Sequence, residues 1–177
     1  MRVLASLSGD LRLRRFFENN RDIHREVYAL MTRKAVELVT DSEREIAKRV
    51  VYALMYGMGA QALSKILKCS VNEAGAFLKS FLSAFPDVNI WMKRTERYSM
   101  ENLFVSTIAG RRRFFKDASE AKFLAVNTVV QGSSSDIMKL ALIGLHKRLP
   151  KSGIDCIMVS TVHDEIVVEV RREHVVC

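Results

Sequence analysis

Residues 41–59, DSEREIAKRVVYALMYGMG, carry the most informative pattern in the chain. Asp41, Ser42 and Glu43 put capping side chains and negative charge where the free N–H groups of a helix start need them, and Gly57 and Gly59 end the run. The spacing predicts a helix from Arg44 to Tyr56. Within it Arg44, Lys48, Tyr52 and Tyr56 recur at four-residue steps, which lays all four along one slowly drifting stripe. Two cations followed by two rings suit a nucleotide lying along one helix face. A guanidinium forks onto phosphate oxygens, an ammonium acts as a compact charge, and a ring further along stacks on base or sugar. The same spacing also fits a helix whose cations are solvated and whose tyrosines are buried.

Outward from this helix the chain remains rich in helical signals. It has 177 residues, 49% of them hydrophobic, enough to bury a core. Only Pro86 and Pro150 interrupt it, and residues 11–91 hold apolar side chains at helical period with few breakers. Ser70-Val71-Asn72-Glu73 reads as a capping box opening a helix that runs toward Phe85; Pro86 stops it, and another begins near Asp87. Phe104 to Phe115 surrounds Ala109-Gly110 with β-branched and aromatic residues, predicting a short hairpin ahead of Arg111-Arg112-Arg113. Ala118 to Leu149 is again helical in period, with a break expected at Gly132-Ser133-Ser134-Ser135, and residues 150–153 form the next connection. Ile154 to Val162 and Ile166 to Val170 predict two antiparallel strands around a His163-Asp164-Glu165 turn. The fold class expected is α+β, mostly α-helical, with a small antiparallel β-hairpin near the C-terminal end.

Composition narrows the partners. Lys plus Arg outnumber Asp plus Glu by 28 to 20, a net charge of +8 that favours a polyanion. Three cysteines, Cys69, Cys156 and Cys177, lack CxxC spacing, which argues against a disulfide framework or a structural zinc site and for a reducing compartment. The first twenty residues carry Arg2, Asp10, Arg12, Arg14 and Arg15 without an apolar run, so a soluble chain with no signal peptide and no membrane partner is expected.

Two further groupings carry chemistry. Asn127 and Gln131 stand four residues apart ahead of Gly132, with Asp136 and Lys139 beyond. Two amides on one helical face suit the acceptor pattern that base pairs share in the minor groove, a way to check pairing without reading sequence, though an exposed surface pair has the same spacing. Asp164 and Glu165, raised on a tight turn, can reach a hard divalent cation of the kind phosphoryl transfer uses; a plain polar turn reads the same way in isolation. The run Arg111-Arg112-Arg113 suits phosphate contact or a solvated basic loop.

Taken in order, these motifs resemble the family A (polymerase I-like) DNA polymerases. Arg44-x-x-x-Lys48-x-x-x-Tyr52-x-x-x-Tyr56-Gly57 resembles that family's nucleotide-binding fingers helix. The run Asn127-Thr128-Val129-Val130-Gln131-Gly132-Ser133-Ser134-Ser135-Asp136-Ile137 is similar to its palm helix, especially in the polymerase theta-like branch, and Val162-His163-Asp164-Glu165 to its catalytic hairpin. Gly110-Arg111-Arg112-Arg113 and Arg21-Asp22-Ile23-His24 also match family segments, and residues 2–10 resemble the helix after the first catalytic strand, so the resemblance covers almost the whole chain.

The resemblance implies template-directed deoxynucleotidyl transfer to a primer 3′-hydroxyl by a two-metal mechanism with two Mg2+ ions. Arg44, Lys48, Tyr52 and Tyr56 would bind the deoxynucleoside triphosphate, with Lys48 also catalytic. Asn127, Gln131, His163, Arg111 and Arg112 would meet primer–template DNA; Asp164 would ligate metal and Glu165 would assist as an acid. It also implies a palm segment at 1–20, fingers at 21–105 and palm at 106–177. Two departures stand out: Ala53 where the family usually has Gly, and Phe123 where it usually has an Arg meeting the primer terminus. The family's other metal-binding Asp would precede residue 1, so the rest of a parent polymerase is an expected partner and this polypeptide alone is expected to be weak or inactive. A noncatalytic nucleic-acid-binding module of the same fold is the alternative. The expected location is intracellular: nuclear if theta-like, otherwise mitochondrial or cytoplasmic.

Overall fold

A computed structural model of the chain describes residues 1–175; Cys177, one of the three cysteines, lies outside them. In chain order the helices are α1 (Arg2–Ser8), α2 (Leu11–Glu18), α3 (Ile23–Thr32), α4 (Asp41–Met55), α5 (Ala60–Leu67), α6 (Val71–Ala84) and α7 (Pro86–Asn102). A short hairpin follows, β1 (Phe104–Ser106) and β2 (Arg112–Phe114), then α8 (Ala118–Arg148) and a second antiparallel hairpin, β3 (Cys156–Val162) and β4 (Glu165–Val170). The mostly helical α+β expectation holds.

Five of the eight helices among the described residues, α2, α3, α4, α6 and α8, begin at a residue whose side chain caps them. Ser70 and Glu73 form the expected capping box of α6, each bonding the other's backbone N–H. A capping box also opens α4, which starts at Asp41, three residues before the expected Arg44. Thr40, not Asp41, is the N-cap, and Glu43 reaches back to the Thr40 N–H. Lys34 donates to both Glu43 oxygens at 2.8 Å, and with the cap bonds this holds the carboxyl down at about 2. Pro86 occupies the first turn of α7, where its missing N–H costs nothing, so α6 stops and α7 starts within two residues.

One core joins α1 to α7 and the middle of α8. Leu13, Val27, Ala47, Val50, Leu63, Phe81, Phe85 and Val88 are fully buried in it. The Phe81 and Phe85 rings lie 4.9 Å apart with Phe16 edge-on to Phe85, and each fully buried ring contributes about 1.5–3 kcal/mol. A smaller cluster, Val105, Phe115, Ala121, Ala125 and Val129, fastens the first hairpin to α8.

The break expected at Gly132 to Ser135 is absent: α8 runs 31 residues without interruption. Tertiary contacts explain why these poor helix formers stay helical. A Cβ on Gly132 would sit 2.6 Å from the Thr107 methyl, so only glycine admits the β1–β2 loop this close. Ser133 is buried and accepts a hydrogen bond from the Ile108 N–H, while the Gly132 carbonyl accepts one from Arg111.

The second hairpin departs from expectation in one respect. Its turn is His163-Asp164 alone, with His163 in the left-handed region at φ 54°, and Glu165 is the first residue of β4, paired with Val162. The strand alternation continues through Glu165 because ladder pairing takes it up. Val159 is an extra residue in β3, where the register shifts between Met158 and Ser160.

Candidate functional site

Five separate stretches of the sequence, Met1 and Val3 of the first among them, meet in one cleft of about 420 Å³. Val51, Tyr52, Met55 and Tyr56 come from α4, Asn127, Val130, Gln131 and Ser134 from α8, and Asp164 from the β3–β4 turn; Ile23 and His24 of α3 close another side. The α4 stripe faces outward because Ala47, Val50, Val51 and Leu54 take the core side. Tyr52 is 54% exposed, which excludes the buried-tyrosine reading of the four-residue spacing.

Asp164 reaches the cleft through length. From Ser134 to Leu149, α8 covers about 22 Å at 1.5 Å per residue. The seven residues of β3, extended, return about the same distance. The base of β3 at Cys156 to Met158 lies beside His146, Leu149 and Pro150, and its far end therefore lies beside Ser134.

The polar groups differ in how far they are already committed. Gln131 Nε2 donates to the Tyr56 hydroxyl, and Asn127 Nδ2 stands 3.5 Å from Gln131 Oε1, so the two amides and Tyr56 form one chain of contacts between α8 and α4. Asn127 Oδ1 is buried without a hydrogen-bond partner among the described residues, an acceptor left for a ligand's donor. Arg44 and Lys48 do not line the cleft. The Arg44 guanidinium donates to Asp22 at 2.7 Å and lies 3.4 Å from Glu45; the Lys48 ammonium is 3.6 Å from Glu45.

Asp22, which also caps α3, is pushed up by burial, but hydrogen bonds from Arg44 and from the His24 and Arg25 N–H groups outweigh that and hold its carboxyl below the usual range. His24 is depressed first by burial and then by the nearby charge of Arg44, and its Nδ1 has no partner among the described residues. Both effects favour the neutral imidazole beside the cleft. Neither the Asp22–Arg44 pair nor its effect on His24 was foreseen, because partners 22 residues apart carry no spacing signal.

The three arginines after Gly110 are engaged by the protein itself. Arg111 pairs with buried Asp136 at 3.0 Å, Arg112 lies over the Phe104 ring at 4.9 Å, and Arg113 lies over Phe115 while donating to Thr128. Thr107 and Arg111 together hold Asp136 below its ordinary value. Arg111, half-exposed, is as much a clamp between the first hairpin and α8 as a surface cation. His163 and Glu165 are exposed beside Asp164, but neither lines the cleft.

The model of DNA polymerase family A matches residues 1–176. The chain belongs to DNA polymerase family A. Similar family A members include a thermostable DNA polymerase I from Thermus filiformis, 38% identical over 98% of this chain and 22% of that protein. A DNA polymerase theta from Caenorhabditis elegans is 32% identical over 99% of this chain and 11% of that protein. Among solved structures, the POL domain of Pol1 from M. smegmatis, in complex with DNA primer-template and dNTP, superposes with a TM-score of 0.89 at 29% identity, covering 97% of this chain and 32% of that one. The chain thus spans about a fifth of the Thermus relative's length and a third of the structural one.

Asp164 is the one carboxylate lining the cleft, and no group of three or more His, Cys, Asp or Glu side chains among the described residues is arranged to hold an ion. That donor set does not by itself fit a pair of hard cations, which take several oxygen ligands each. No described helix is long and apolar enough to cross a membrane.

Proposed function

We propose that this chain is the nucleotide- and template-handling part of a DNA-directed DNA polymerase, which adds deoxynucleotides to a primer 3′-hydroxyl under template direction. The observation that carries this reading is the single cleft joining Tyr52, Tyr56, Asn127, Gln131 and Asp164, residues drawn from three separate parts of a family A chain. Residues 21–105 are the fingers, and residues 1–20 and 106–177 belong to the palm.

In this reading Arg44 and Lys48 neutralise the triphosphate, and Lys48 gives a proton to the departing pyrophosphate. Tyr52 packs on the incoming sugar and base, and Tyr56 holds the templating position. Asn127 and Gln131 face the minor groove, where amides that both donate and accept tolerate every correct pair. His163 meets the primer end and Glu165 assists beside Asp164. Asp164 would hold one position on a magnesium ion, which would supply charge stabilisation at the reacting phosphate once further ligands complete the site.

One observation favours a second reading, a noncatalytic nucleic-acid-binding module of the same fold: the described cleft offers one carboxylate. Two measurements on the purified chain test the readings. Fluorescence anisotropy is expected to detect binding to primer–template DNA, weakened ~10-fold by the Asn127→Ala, Gln131→Ala double variant; a chain that binds no primer–template overturns both readings. Primer extension with magnesium is expected to give little or no product. Templated synthesis would show that the chain completes a metal site and would remove the noncatalytic reading.

A further inference from the structure

Phe123 has a position that none of these roles uses. The buried face of α8 is made by Ala121, Ala125, Val126, Val129 and Val130; Phe123 stands at the edge of that face, one turn before Asn127, and is 56% exposed. It begins a four-residue stripe with Asn127 and Gln131, each step advancing about 6 Å along the helix. The two amides line the cleft, which puts the ring at its rim, next to the end of α4.

The ring is seated as well as exposed. Gly57, directly after Tyr56, has φ +63°, and a Cβ built on it would lie 3.5 Å from Phe123 Cδ2 and 3.0 Å from the Phe123 carbonyl oxygen. One edge of the ring therefore faces Gly57 across the space a Cβ would fill, while the rest of the side chain meets solvent. An aromatic side chain already restrained loses little freedom when something packs on it.

Resting on the DNA-binding reading above, we propose that Phe123 is a stacking platform for an unpaired nucleotide of the template, a positioning residue at the rim of the cleft. The chemistry selects that occupant. A base inside a duplex is stacked on both sides and offers a protein surface only its edges, whereas an unpaired base offers an open π-face, and an uncharged ring gives a phosphate nothing to pair with.

The test compares two DNAs with the purified 177-residue chain: a primer–template with a single-stranded 5′ overhang and a blunt duplex of the same paired length. Phe123→Ala and Phe123→Leu are expected to weaken overhang binding ~10-fold and to leave blunt-duplex binding unchanged. Leu keeps an apolar contact to Gly57 but has no π-face, so its failure isolates stacking from packing. Phe123→Trp keeps wild-type affinity for the overhang. The slope of log affinity against log salt stays the same in Phe123→Ala, since no phosphate contact is lost. Wild-type affinity in Phe123→Ala, or an equal loss on the blunt duplex, overturns the inference while the wild-type chain still binds DNA. A wild-type chain that binds neither DNA overturns the polymerase reading itself, and this inference with it.

Discussion

The helical body and the β3–β4 hairpin contribute to the same cleft on opposite terms. In the body, α4 is fixed from behind by Ala47, Val50, Val51 and Leu54, and its charged groups are tied to neighbours, Arg44 to Asp22 and Glu43 to Lys34. In the hairpin no residue from Cys156 to Val170 is buried, and Ile157, Val159, Val162, Val167 and Val168 all face solvent. Asp164 has no ion pair or side-chain hydrogen bond among the described residues. The body is organised by its own packing, whereas the hairpin is organised along its ladder with only its base beside His146, Leu149 and Pro150, and Asp164 at its tip has no ion pair among the described residues. The tyrosine and amide side of the cleft is thus braced by the chain's own packing, while Asp164 is presented on an unbacked turn.

Substitutions can break or sharpen that contrast. The largest effect is expected in the body: Phe85→Ala removes a fully buried ring and costs about 3–5 kcal/mol by urea unfolding. Val159→Thr, at the exposed extra residue of β3, is expected to change the same midpoint by less than about 0.5 kcal/mol. An equal loss at both sites would mean the hairpin is as well backed as the body. Removing the α4 cap lies between them, since Thr40→Ala costs about 1 kcal/mol.

The charge ties of the body have a measurable consequence for ligands. Asp22→Asn keeps a side chain able to cap α3 but removes the charge that holds Arg44. Deoxynucleoside triphosphate affinity, read by titration calorimetry, is expected to rise a few-fold, the scale of a partly exposed ion pair; unchanged affinity would mean that Asp22 does not compete for Arg44. The smallest effect is a pH dependence. Burial, then Arg44, depresses His24 below its ordinary 6.5, so the unfolded chain takes up the proton more readily than the folded one. His24 therefore adds stability above about pH 6.5 that is lost as pH falls from there through its folded value. The melting temperature should drop on acidification across that window, and His24→Gln should flatten the drop; an unaltered drop would assign it to other groups.

Local signals in the sequence carried most of the architecture, and their failures have local causes too. Ser70, Glu73 and Pro86 set the ends of α6 and the start of α7 to within a residue, because those ends are decided by side chains adjacent in sequence, whereas α4 starts three residues before the expected Arg44. The Gly132 to Ser135 run misled for the opposite reason. Its glycine and its buried serine serve Thr107 and Ile108, some 25 residues away, and intrinsic propensity is silent about such partners. At the site, the four-residue stripes of α4 and α8 and the Asp164 turn were legible because each is a short-range pattern. That Arg44 is held by Asp22, Arg111 by Asp136, and Phe123 by Gly57 was not, since each pair forms only when the chain folds.

The match between β3 and the second half of α8 makes the position of Asp164 a matter of reach. The hairpin works as a measured arm, anchored near Leu149 and long enough for its tip to arrive at Ser134. Side chains along the arm are free to vary while its length is not. Two residues added to each strand would keep the faces and carry the tip about 7 Å past the cleft. One residue added to β3 alone would turn the tip's side chains to the other face or force a second bulge. Variation along the arm should therefore tolerate exchange of residues and resist their insertion or deletion.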